Sequence, residues 1–254
     1  MSSAKSTTNE SLKIYFIIIT LLFSIKSYLN FKTPDMHKYM NIFILLISGL
    51  FLIMLYFGNM KLTESEEICG SMNSTLAFNS TIYPFFFIYA IGVLMLMLFP
   101  GWLRGFSNTF GLSVAKMVGL GELIKKLYPN QSNNDELVND VYNNPSILIN
   151  ELDFGNSSEE FNIKKDDKSN IIEINWAMLS KLEKYIKVDD LEDKKQLIGF
   201  INLKNDVAYY IWIMFFSIIT TITSTNYMLD EQCSTNKTDN KEFQKMLNQK
   251  MNKN

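Results

Sequence analysis

Few residues in this chain could do chemistry. Its 254 residues include two cysteines, Cys69 and Cys233, and one histidine, His37. A metal site draws several Cys, His or carboxylate ligands together at set spacings, and this set offers little material for one. The carboxylate pairs Asp166/Asp167 and Asp189/Asp190 lie in stretches of mixed charge, where a solvated surface accounts for them. His37 stands in a short polar loop. The sequence has no G-x-S-x-G, no H-E-x-x-H, no C-x-x-C and no dinucleotide fingerprint. The reading is of a chain that is not an enzyme and needs no cofactor or metal. A disulfide between Cys69 and Cys233 is the one covalent chemistry available, provided that both thiols share an oxidising compartment.

The elements that place these residues are apolar runs. The overall averages, 47% hydrophobic residues and net charge −2, would suit a soluble domain, but the apolar residues are gathered into four blocks. About 20 helical residues cross a hydrocarbon layer about 30 Å thick. Run one, Leu12–Phe31, is interrupted by Lys26, which can snorkel to the interface. It is read as a retained signal-anchor, with an interfacial helix as the alternative. Run two, Tyr39–Met60, and run three, Thr81–Leu103, are spans. Run three opens at Tyr83-Pro84, since proline suits a first helical turn, and closes at Pro100-Gly101-Trp102. Run four, Val207–Tyr227, has Tyr209, Tyr210 and Trp212 at its start, as an aromatic belt would. No run contains an acidic residue, which speaks against a proton relay.

Four crossings fix the sidedness. The N-terminus, the 61–80 loop and the C-terminal tail share side A; the 32–38 loop and the segment 104–206 share side B. Lys26, Lys32, Lys38, Arg104 and Lys116 make side B the cytosolic one. Cys69 and Cys233 then fall together on side A, and a Cys69–Cys233 bridge is expected. Asn-x-Ser/Thr sequons at Asn9, Asn73, Asn79 and Asn236 on side A, and at Asn130 and Asn156 on side B, are weak signals in so Asn-rich a chain.

The fold expected is an all-α membrane protein of about four transmembrane helices. A small, mostly helical polar segment separates the third from the fourth. The divisions are a polar N-terminal tail (1–11), three spans (12–103), a Gly/aromatic turn with an interfacial helix (104–127), a polar extramembrane segment (128–206), the fourth span (207–227) and a C-terminal amphipathic tail (228–254). The interfacial helix covers Leu112–Leu127, with Lys116, Glu122, Lys125 and Lys126 on its polar side. Within 128–206, helices are expected at Asn134–Tyr142, Ile174–Val188 and Leu191–Leu203. The hydroxyl-rich end of run four, Thr220 to Asn226, suits helix packing or a conduction path.

The segment Phe99-Pro100-Gly101-Trp102-Leu103-Arg104-Gly105-Phe106-Ser107-Asn108-Thr109-Phe110-Gly111 is the most distinctive. It resembles a PGW..PFSNTFGY segment in membrane proteins of nucleocytoplasmic large DNA viruses, of the chlorella-virus and mimivirus kind. Gly105 stands where that pattern has proline and Leu112 where it has tyrosine. Asp206 to Trp212, Thr223 to Tyr227 and Cys233 resemble the last span of the same proteins. The resemblance implies a virion membrane protein that links the inner membrane to the capsid shell. Its implied location is the virion inner membrane or a host endomembrane. Its partners would be the lipid bilayer and other capsid or membrane proteins, not nucleic acid. Trp102, Arg104, Phe106, Asn108 and Phe110 are then the expected partner contacts. A channel or transporter subunit, or a multi-pass endomembrane scaffold, is the alternative.

Overall fold

The computed structural model describes residues 2–32, 39–66, 68–99, 101–127, 191–231 and 233. The helices expected at Asn134–Tyr142 and Ile174–Val188, His37, both carboxylate pairs and most of the C-terminal tail lie outside these residues. Every regular element among the described residues is a helix. They are α1 (Ser2–Lys32), α2 (Met40–Thr63), α3 (Ser74–Pro84), a π-helical turn (Phe85–Ala90), α4 (Ile91–Leu98), α5 (Gly101–Phe106), a second π-helical turn (Ser107–Gly111), α6 (Leu112–Met117), α7 (Leu120–Leu127) and α8 (Leu191–Glu231). Among the described residues, three helical stretches are long and apolar enough to cross a membrane: Met40–Thr63, Ser74–Leu98 and Gln196–Glu231.

Two compact units contain these elements. The first draws on Met1–Leu21, Asn41–Met95 and Ile213–Asn254. In it, α2 buries Ile44, Ile47, Phe51, Leu55, Asn59 and Leu62, one stripe at helical spacing, while Ile42, Leu45, Leu46, Ile53 and Phe57 stay exposed. The rings of Tyr15 and Tyr89 meet Phe51 at centroid distances of 4.9 and 4.7 Å. The side chain of Asn73 caps α3 by accepting the Leu76 N–H at 3.0 Å.

Pro84 does not open this helix, as the sequence suggested. The helix starts ten residues earlier, at Ser74, and Pro84 sits inside it. Proline has no N–H and crowds the carbonyl one turn back, and a π-helical turn, Phe85–Ala90, follows it directly. A purely local rule missed this because the first turns of α3 are polar. They lie outside the apolar run that defined the span.

The second unit draws on Leu22–Met40 and Leu96–Trp212. Here α5 to α7 run antiparallel to the first half of α8: Trp102 meets Trp212, Ser107 meets Asn205, and Lys126 meets Asp193. The expected interfacial helix over Leu112–Leu127 is two helices. Gly119, with φ of 117°, breaks it between α6 and α7, a backbone setting that side chains resist. Its apolar stripe does not face lipid either. Leu120, Leu123, Ile124 and Leu127 are buried, as are Leu197, Ile198, Phe200 and Ile201 of α8. The Lys126–Asp193 pair at 2.7 Å clips α7 to α8, though Lys126 is largely exposed and the pair adds little. The expected helix Leu191–Leu203 and the fourth span are one continuous helix, α8.

At Gly111 the fold permits no side chain. A Cβ there would lie 2.2 Å from the backbone oxygen of Lys204, whereas one on Gly105 meets nothing within 4 Å. Gly111→Ala should therefore destabilise the detergent-solubilised chain by about 1–3 kcal/mol, the range for overpacking. Gly105→Ala should be neutral or stabilising by up to about 1 kcal/mol, from helix propensity. Thermal unfolding of the two variants side by side checks the contrast.

Candidate functional site

In the second unit the sequence places charge where it should be costly, and the fold answers with pairing. Lys26 interrupts run one, and Asp206 directly precedes run four. On antiparallel helices, Phe23 of α1 packs on Tyr210 of α8 (5.5 Å), and one turn further Lys26 reaches Asp206. Lys26 Nζ donates to Asp206 Oδ1 at 2.6 Å, with the side chains 9% and 0% exposed. Ser27 Oγ donates to the other carboxylate oxygen at 3.2 Å. Lys26 therefore does not snorkel outward, and a buried acidic residue does stand at the head of run four.

The π-helical turn after α5 joins the same cluster. From it Ser107, Asn108 and Gly111 all reach α8. Ser107 Oγ donates to Asn205 Oδ1 at 2.8 Å, and Lys204 Nζ donates to Asn108 Oδ1 at 2.9 Å. Trp212 Nε1 donates to the Trp102 carbonyl at 3.1 Å, with the two indoles stacked at 6.0 Å. Asn202 Nδ2, one turn before Asp206, is buried without a hydrogen-bond partner.

The expected contact residues divide accordingly. Trp102, Arg104 and Phe110 are exposed. Phe106 is half-buried, its ring 5.0 Å from that of Trp212, and Asn108 is turned inward to Lys204. Lys26, Ser27, Ser107, Lys204, Asn205 and Asp206 carry the cluster; the sequence reading gives Lys26 a snorkelling role and none of the six a place in a site. The available signal was a lone cation inside an apolar run, which in hydrocarbon requires an opposite charge somewhere on the chain.

The first unit holds a second set of polar ties. Both N–H groups of the Asn59 amide are used: Nδ2 donates to Thr81 Oγ1 and to Ser224 Oγ, each at 2.8 Å. One side chain thus links α2, α3 and α8. Ser217, Thr221 and Thr225 bond back to their own helix carbonyls at 2.7–3.0 Å. Ser217 also meets the Tyr15 hydroxyl at 3.2 Å. The hydroxyls of run four are therefore met mainly within their own helix, with Ser217 and Ser224 also tied to neighbouring helices. Thr220 Oγ1 is buried and unpartnered.

Cys69 and Cys233 are joined by a disulfide, with Cα atoms 5.0 Å apart. The Cys233 N–H donates to the Ile68 carbonyl at 3.1 Å, and Asn73 Nδ2 donates to Cys233 Sγ at 3.2 Å. Beneath them Leu62, Ile68 and Met228 form a small buried cluster. The bridge thus ties the loop between α2 and α3 to the end of α8. The cap role of Asn73 also occupies one of the sequon asparagines.

Among the described residues no group of three His, Cys, Asp or Glu side chains could hold a metal. Comparison with known protein families, with curated proteins and with solved structures finds no match for this chain.

Removing one member of a buried ion pair strands the other, at a cost of about 3–5 kcal/mol. Asp206→Ala or Lys26→Met alone should therefore lower stability by that order. The double replacement Lys26→Met with Asp206→Leu should recover most of it. A double-mutant cycle from thermal unfolding in one detergent measures the coupling, and additive losses would mean the pair does not interact. Peptide mapping without reductant should recover Cys69 and Cys233 in one linked fragment pair.

Proposed function

We propose that this chain is a non-enzymatic structural membrane protein with four spans. It anchors or links the inner membrane to the capsid shell of a large DNA virus. The observation that carries the membrane part is the row of large apolar side chains left exposed along the helices, among them Ile14, Ile17, Leu46, Phe57, Phe86, Phe87 and Phe110. Polar groups, among them Lys26, Asp206, Asn59, Ser107, Ser217 and Ser224, are buried beside the apolar core. Extensive exposed apolar surface with polar groups paired inside suits a non-aqueous surround. In hydrocarbon, polar groups must be satisfied internally and apolar groups may face out.

The same cluster supports α1 as the fourth span. Its one interrupting charge is neutralised by Asp206, so the apolar stretch Ile14–Ile25 need not lie flat at an interface. With α1 spanning, both cysteines fall on the translocated side, where the bridge between them can persist.

The viral part rests on the resemblance described above. The first resembling segment packs on Trp212 of the second through Trp102 and Phe106, and on the residues just before the second through Ser107–Asn205 and Asn108–Lys204. An anchor needs rigid, cross-tied spans and no reaction centre, and the ties found here suit that role.

A channel or transporter subunit is the second reading, favoured by the unpartnered Thr220 hydroxyl inside the bundle. Quantitative mass spectrometry of purified particles, with cross-linking, tests the first reading. The expected result is a fixed copy number and cross-links to capsid proteins; absence from particles would remove the viral role. Pure protein in liposomes should pass neither ions nor small solutes, and sustained flux would favour the second reading.

A further inference from the structure

The segment 101–111 has its polarity turned inside out, and this bears on what covers its outer face. Toward α8 it presents Ser107, Asn108 and Gly111, all small or polar. Outward it presents Trp102 and Phe110, with the half-buried Phe106 between them. Within this stripe the rings of Phe106 and Phe110 lie 6.0 Å apart. Large aromatics facing out and serine, asparagine and glycine facing in is an arrangement for a non-aqueous neighbour.

We propose that this outer aromatic face is seated in the boundary of the bilayer that the chain spans, with lipid acyl chains as its neighbours. The inference rests on the membrane reading above and replaces a partner-facing role for Trp102, Phe106 and Phe110. Three further observations carry it. The stripe continues the exposed apolar end of the preceding span: Leu98 and Phe99 are exposed, two residues before α5 begins. Within the same unit, α1 residues 23–27 and residues 102–108 meet one stretch of α8, 204–212. At that stretch α1 also turns apolar groups outward, Ile25 and Tyr28. Finally, two exposed hydroxyls, one in the segment and one just after it, are satisfied by carbonyls of their own helix. Thr109 Oγ1 donates to the Gly105 carbonyl at 2.7 Å, and Ser113 Oγ donates to the Thr109 carbonyl at 2.9 Å. Internal satisfaction of outward hydroxyls is what hydrocarbon demands. Arg104 has a stem long enough to carry its guanidinium to the headgroups from this depth.

Site-directed spin labelling of the full-length chain in phosphatidylcholine nanodiscs tests this. The native cysteines are joined in the bridge, so a single introduced cysteine takes the label. The positions are Phe110→Cys and, as the milder variant on the same face, Thr109→Cys. Leu46→Cys, on the exposed side of α2, reports hydrocarbon, and Lys125→Cys, on the exposed side of α7, reports water. The readout is relaxation by oxygen, which concentrates in lipid, against relaxation by a water-soluble nickel chelate. At 109 or 110 the oxygen-to-nickel ratio should match that at 46 and exceed that at 125 several-fold. A ratio like that at 125, with 46 still favouring oxygen, would overturn this inference and leave the membrane reading standing. A label at 109 and 110 shielded from both reagents would also overturn it, because a protein neighbour would then cover the face. Nickel preference at 46 as well would remove the membrane reading and this inference together.

Discussion

Hydrocarbon offers no hydrogen bonds, so each polar group carried into it must find its partner on another part of the same protein. The buried pair between Lys26 and Asp206 is where this constraint weighs most. Two charges separated by 180 residues along the chain are brought to 2.6 Å, and Ser27 takes the remaining carboxylate oxygen. Without that partner α1 would carry an uncompensated cation in its apolar stretch. The same rule explains Asn59, whose two N–H groups are divided between α3 and α8, and Ser107, which meets Asn205. These ties are long-range in sequence and short in space. They fix which helix lies against which, a task that apolar contacts alone do poorly when the lipid is as greasy as the side chains.

The disulfide acts on a different part of this problem. In water, a bridge closing a loop of 164 residues would be credited with about 5 kcal/mol from the chain entropy of the unfolded state. Here that figure is an upper bound, because helices already inserted in a bilayer have little of that freedom to lose. The bridge is better understood locally. It pins the loop between α2 and α3 to the end of α8, above the buried Leu62, Ile68 and Met228.

What could be read from the sequence was whatever depends on local composition. The uncharged block from Tyr39 to Met60 became α2, Met40–Thr63, because nothing in it interrupts a helix. The two cysteines were assigned to one side by counting crossings, and the structure holds them bonded. Misreadings arose where a local rule met a tertiary constraint. Pro84 looked like a helix start, but the turns before it are helical and a π-helical turn continues the helix after it. The amphipathic stripe of 120–127 looked like a membrane-surface helix, but α8 offers it a protein surface to bury against. Asp206 was given no partner because Lys26 lies 180 residues away, and no periodicity reveals such a pairing. The Gly111–Lys204 contact was equally out of reach, since only the close approach of two backbones shows why that position is glycine.

The account stands on lipid being the solvent for these helices. Expression of the full chain, followed by alkaline carbonate washing and flotation of the membranes on a density gradient, tests that directly. The chain should float with the lipid after the wash, as proteins with spanning helices do. Recovery of a monodisperse, detergent-free monomer in the soluble fraction would contradict it.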